Sequence, residues 1–177
     1  LLESVEGQEK TARYSFLAKD PDLIFQSKGR DMSIIQIKNG VAQTNHLRVV
    51  DTPLSFLREM MSQYRFVNIP GLARFCGGLV GYIGYDTVRF FENLPAKVKD
   101  DLSLPDILLV LVKNLVIFDH VNHTIKVVSC AENKPKVGRR EKLKSYQSAV
   151  EAIESCIAQF KTPHAYKLPL KSPVSSP

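Results

Sequence analysis

Cysteine is scarce in this 177-residue chain, and Cys76, Cys130 and Cys156 stand far apart with no Cys-x-x-Cys pair. An odd count without paired spacing argues against a disulfide framework or a zinc site, and for a reducing, cytoplasmic setting. The expected role of all three thiols is interior packing as small apolar groups. No apolar run approaches the ~20 residues that cross a bilayer, which excludes a helical membrane span. The longest, Ile107 to Val112, lies between Asp106 and Lys113 and suits a buried strand. No signal peptide is visible. An initiator Met is also lacking: the chain opens on Leu1-Leu2, inside what reads as a strand, and closes on a linker. Both ends lead to the expectation that a larger protein continues beyond them.

The glycines Gly77, Gly78, Gly81 and Gly84 fit neither G-x-x-x-x-G-K-[ST] nor G-x-G-x-x-G, so a phosphate cradle is not expected. Glycines within a strand mark a bulge or the close approach of another backbone. His46, His120, His123 and His164 lack metal-ligand spacing, and His120 and His123 flank a hairpin turn where exposure is expected. Asp100, Asp101 and Asp106 surround Pro105 in what reads as a solvated loop. No catalytic residue and no metal ligand is assigned.

Acid is short only in the last part of the chain. The net charge is +6, and from Ala131 onward nine basic residues face four acids, so residues 1–130 are nearly neutral. A nucleic-acid footprint would interleave bases with aromatics on one face. This tail carries only Tyr146, Phe160 and Tyr166, and reads as a solvated segment with no nucleic-acid partner.

The pattern predicts strands at Ala12 to Ala18, Leu23 to Ser27, Met32 to Ile37 and Val41 to Val50, joined as an antiparallel meander through Asp20-Pro21, Lys28-Gly29 and Asn39-Gly40. Thr52-Pro53 supplies a cap and a first turn for a helix with Leu54, Leu57, Met61 and Tyr64 on its apolar face. Phe75 to Ile83 reads as extended and Tyr85 to Phe91 as helical, with Asp86, Arg89 and Glu92 spaced for pairing along one face. Three more strands follow at Ile107 to Val112, Leu115 to Asp119 and Thr124 to Cys130. A helix over Glu141 to Phe160 carries Tyr146, Ala149, Val150, Ile153, Ile157 and Phe160 on one face. Strand-rich runs without alternating βα units define an α+β class. Residues 1–130 form the expected domain, 131–161 a basic segment with an amphipathic helix, and 162–177 a Pro-rich linker.

Glu3 and Ser4 have chemistry suited to an amino-acid ligand. A carboxylate takes an α-ammonium in a charge-assisted bond, and a hydroxyl both donates and accepts. Lys10 or Arg13 could take the α-carboxylate, and Leu1 and Leu2 could wall an apolar ring. For an arbitrary protein, the same pair at a strand end would simply face solvent.

Three ordered blocks favour the ligand reading. They are Leu1-Leu2-Glu3-Ser4-Val5-Glu6-Gly7 continued by Lys10-Thr11-Ala12-Arg13-Tyr14-Ser15-Phe16-Leu17, then Gly77 through Glu92, then Asp100 through Asp106. Together they resemble the N-terminal, tryptophan-sensing portion of anthranilate synthase component I. Ala18 stands where that family commonly has Gly. The resemblance implies the antiparallel, strand-rich N-terminal domain of the chorismate-utilising fold, followed by a C-terminal helix and linker. It implies that Leu2, Glu3 and Ser4, and with them Arg13, line part of an L-tryptophan feedback site, with Tyr14 and Ser15 as further candidates. The glycine block would set the seam to the rest of the enzyme. The family converts chorismate to anthranilate and pyruvate in tryptophan biosynthesis, with ammonia from glutamine through a glutaminase partner, component II. Its Mg²⁺ is held by glutamates of the C-terminal half, so a fragment of this extent is expected to be inactive alone. Aminodeoxychorismate synthase component I, on the folate pathway, and a stand-alone amino-acid-sensing module are the alternatives.

Overall fold

The computed structural model describes residues 2–3, 13–38, 41–49, 51–65, 67–95, 100–133 and 137–162. Among the described residues nine strands run as β1 (Leu2–Glu3), β2 (Tyr14–Ala18), β3 (Leu23–Lys28), β4 (Asp31–Lys38), β5 (Val41–Arg48), β6 (Gly78–Ile83), β7 (Ile107–Val112), β8 (Asn114–Asp119) and β9 (Thr124–Ser129). Helix α1 (Pro53–Ser62) follows β5, and α2 (Arg139–Lys161) follows β9. All pairings are antiparallel and form two sheets, ordered β1-β2-β8-β9 and β5-β4-β3-β7-β6.

The apolar run Ile107–Val112 becomes β7, an interior strand between β3 and β6. Its partner run is β8, interior to the other sheet between β2 and β9. Only Lys113 separates the two, so the chain changes sheet there. The Lys113 ammonium is held by Asp22, at 2.5 Å, and by Glu132. Burial opposes its charge, but the two carboxylates outweigh that and raise its pKa.

Two apolar clusters fill the body. In one, α1 closes over the second sheet: Leu57 packs with Phe25, Met32, Ile107 and Leu109, and Phe56 stacks on Phe25 with centroids 6.1 Å apart. Thr52 caps that helix by accepting from the Ser55 N–H at 3.1 Å, with proline in the first turn. The second cluster joins the sheets, with Leu115 and Ile117 of β8 against Val112, Ala73 and Cys76, and Phe16, Phe75, Val80 and Val110 around them.

The fold class is the expected α+β arrangement, with differences in detail. The meander holds for β3, β4 and β5, but the strand before Asp20-Pro21 leaves it and pairs with β8 in the other sheet. Local turn signals mark where a chain bends without saying which sheet it re-enters. Tyr85 to Phe91 is a short 3₁₀ helix, Tyr85–Phe90, in which Arg89 Nε meets Asp86 Oδ1 at 2.9 Å. Of the expected apolar face of α2, Ala149 is buried and Val150 and Ile153 half-buried, while Tyr146, Ile157 and Phe160 are exposed. Cys76 is buried, but Cys130 is exposed and Cys156 half-buried, against the expectation that all three thiols are interior.

Gly81 carries the close approach expected of the glycine block. It lies opposite Leu109 at φ +151°, and a Cβ there would fall 2.0 Å from the Leu108 carbonyl oxygen. No described helix is long and apolar enough to cross a membrane.

Candidate functional site

The ligand motif enters the first sheet through β1, whose two residues pair with β2 as Leu2 opposite Phe16 and Glu3 opposite Ser15. Strand β2 in turn pairs with β8, placing Tyr14 opposite Asp119 and Ser15 opposite Phe118. Register therefore brings Leu2 and Glu3 beside a strand that starts with Tyr14 and Ser15 and is preceded directly by Arg13. Ser4 and Lys10 lie outside the described residues, and for Leu2 and Glu3 the register alone is described.

Arg13 makes a two-pronged ion pair with Asp119, Nε to Oδ1 at 3.1 Å and Nη2 to Oδ2 at 2.9 Å. Its guanidinium carbon also stands 4.9 Å from the centre of the Tyr14 ring. The Asp119 side chain is fully enclosed, whereas that of Arg13 keeps 39 % of its surface exposed. Asp119 accepts further bonds from the Val121 and Asn122 N–H groups and from Asn122 Nδ2. Arg13 first, then Asn122, holds its carboxyl well below the usual carboxylate range despite the opposing cost of burial. The Asp119 bond raises the Arg13 pKa in return.

The turn between β8 and β9 thus organises the head of β2. Asp119 closes it as an aspartate does when its side chain bonds backbone two and three residues on. His123 takes the left-handed conformation, at φ +51°. His120 extends the ladder, its N–H donating to the Arg13 carbonyl at 2.9 Å. Its Nε2 lies 2.7 Å from the hydroxyl oxygen of buried Ser15.

Sequence reading proposed Arg13 and Ser15 but missed Asp119, His120 and Asn122. The spacing Asp119-x-x-Asn122 is a turn signal that could have flagged the aspartate. No local signal announces a partner 106 residues away. His120, expected to be exposed, is exposed and also bonded to Ser15.

A cleft of about 540 Å³ opens elsewhere, at the β3–β4–β5 end of the second sheet. Lys28, Ser33, His46 and Arg48 line it, and it shares no residue with the β1–β2 end. Among the described residues no three His, Cys, Asp or Glu side chains gather as a metal-ligand set.

Comparison with known proteins agrees with this architecture. The chain is 36 % identical over 155 residues to anthranilate synthase component 1 of Acetivibrio thermocellus, covering 88 % of this chain and 29 % of that protein. It is 40 % identical over 139 residues to the protein of that name from Pseudomonas putida, covering 76 % and 27 %. The crystal structure of anthranilate synthase component I from Streptococcus pneumoniae TIGR4 superposes with a TM-score of 0.60 at 22 % identity, over 93 % of this chain and 32 % of that one. The chain thus spans about three-tenths of the length of these relatives. The sequence profile described as "chorismate binding enzyme" matches residues 7–173, and the chain belongs to that family.

Proposed function

We propose that this chain is the N-terminal portion of an anthranilate synthase component I, contributing scaffold and part of an L-tryptophan feedback site. The observation that carries the reading is the placement of the Leu2-Glu3 strand. In a fold shared with anthranilate synthase component I, it lies directly against the strand that carries Ser15 and begins just after Arg13. The polypeptide would form anthranilate and pyruvate from chorismate and ammonia, the ammonia coming from a glutaminase component II. Its chemistry and its Mg²⁺ would reside in the part of the relatives that this chain does not span. The described residues do not fit a Mg²⁺ site, since no three His, Cys, Asp or Glu side chains gather among them.

Allostery requires that tryptophan favour one arrangement of the enzyme over another. A pocket completed by a second portion of the polypeptide would do so, because movement between the portions would open or close it. The seam proposed for the glycine block is supported by apolar side chains left uncovered there: Tyr85 is 84 % exposed and Phe91 68 %.

The test is product identity. The polypeptide carrying this segment in full is incubated with chorismate, ammonium and Mg²⁺, and anthranilate is followed by its fluorescence. Anthranilate and pyruvate in equal amounts are expected. Aminodeoxychorismate in place of anthranilate would move the chain to the folate enzyme, and no turnover would make it a sensing module. Residues 1–177 alone are expected to be inactive and to bind L-tryptophan weakly or not at all. Micromolar affinity in titration calorimetry of that fragment would overturn the incomplete site.

A further inference from the structure

The Ser15–His120 contact lies outside the ligand motif, and the role inferred for it rests on the feedback-site reading above. Ser15 is the residue opposite Glu3 in the β1–β2 register, so this position of β2 neighbours the backbone of the ligand motif. Its hydroxyl is buried, with 6 % of the residue exposed, and its partner is the His120 imidazole at 2.7 Å. A hydroxyl has one proton to donate and lone pairs with which to accept. When the imidazole Nε2 carries no hydrogen, it accepts the hydrogen bond that the Ser15 hydroxyl donates, and the serine oxygen keeps its lone pairs free to accept from a second partner. When Nε2 carries hydrogen, the polarity reverses, and Ser15 offers a donor instead.

An α-ammonium group needs acceptors. We propose that His120 is a positioning residue for the amino-acid ligand: its unprotonated Nε2 fixes the Ser15 hydroxyl so that the Ser15 oxygen faces the ammonium as an acceptor beside Glu3. The surrounding turn is built to hold the ring. The His120 backbone bonds the Arg13 carbonyl, and its neighbour Asp119 locks both the Arg13 guanidinium and Asn122. Ligand motif, β2 and the β8–β9 turn therefore act as one unit, although His120 itself touches no ligand.

The experiment measures L-tryptophan inhibition of ammonia-dependent anthranilate formation by the complete polypeptide, each variant being normalised to its own uninhibited rate. His120→Ala is expected to raise the half-inhibitory concentration about three- to tenfold, the effect of one buried hydrogen bond. Ser15→Ala should do the same, and the double variant should lose little more, because both remove one interaction. His120→Gln, which can still bond the hydroxyl, should restore most of the sensitivity. A turn that mattered only for folding would not be rescued in that way. In the tryptophan-bound enzyme, the ¹⁵N shift of His120 Nε2 should be that of an unprotonated nitrogen.

If L-tryptophan inhibits the unsubstituted enzyme and His120→Ala equally, this proposal fails and the feedback site stands. A protonated Nε2 in the bound state, or no rescue by glutamine, overturns it as well. If L-tryptophan leaves the unsubstituted enzyme unaffected, the feedback-site reading itself fails and takes this proposal with it.

Discussion

Gly81→Ala is expected to destabilise the chain by roughly 3 kcal/mol or more, a large share of the about 5–15 kcal/mol by which a folded domain is stable. Two independent effects combine. At φ +151° the backbone adopts a conformation that L side chains rarely take. A Cβ would also lie 2.0 Å from the Leu108 carbonyl oxygen, and within 3.0 Å of the Leu108 carbonyl carbon and Leu109 Cα. These are backbone atoms of β7, the interior strand, so no flexible side chain can swing aside. Relief would require β6 to lift from β7, opening the ladder that runs from Gly78 opposite Val112 to Ile83 opposite Ile107. Urea unfolding followed by far-ultraviolet circular dichroism gives the readout. An unchanged midpoint would mean that β6 does not pass β7 as closely as described.

Asp119→Asn is expected to lower the thermal midpoint by about 5 °C or more and to flatten the acid limb of stability. The carboxylate accepts at both oxygens: Oδ1 from Arg13 Nε and the Val121 and Asn122 N–H groups, Oδ2 from Arg13 Nη2 and Asn122 Nδ2. An amide in either orientation turns one acceptor into a donor facing donors, and it leaves Arg13 without its counter-charge. The pH dependence follows from linkage. The folded carboxyl has its pKa lowered below the ordinary 3.8, so the unfolded chain takes up the proton first as acid is added. The stabilisation is complete above that ordinary value and is lost as pH falls through the folded one. Midpoints recorded from neutral pH down through the acid limb should fall below about pH 4 in the unsubstituted chain, and less so in Asp119→Asn. Parallel pH profiles for the two would mean that Asp119 does not carry this dependence.

Much of the architecture was legible because it is written locally. The continuous run Ile107 to Val112 marked a buried strand, Thr52-Pro53 marked a capped helix start, and the glycine block marked a bulge or a close approach, which Gly81 carries. Sheet membership was less legible. Strand β2 precedes a turn that looks like the next corner of a meander, yet its partner is β8, about a hundred residues on. The face of α2 also read wider than it is, since the helical period shows which residues align but not how many a neighbour covers.

The candidate site divides along the same line. Leu2, Glu3 and Arg13 came from a motif and a resemblance, and register brings their strands together. Asp119, His120 and Asn122 were not foreseen because their importance arises from contacts with Arg13 and Ser15 across the sheet. A turn residue acquires such a role through topology alone. Ser4 lies outside the described residues, which makes it the position where solution measurement adds most.

That measurement is inhibition of anthranilate formation by L-tryptophan in the complete polypeptide, unsubstituted and as Ser4→Leu. Inhibition that the substitution weakens at least tenfold is expected, since a hydrogen bond to a charged ligand contributes about 1.5–3 kcal/mol. Equal sensitivity of the two proteins, or none in either, would remove the ligand site from this part of the chain.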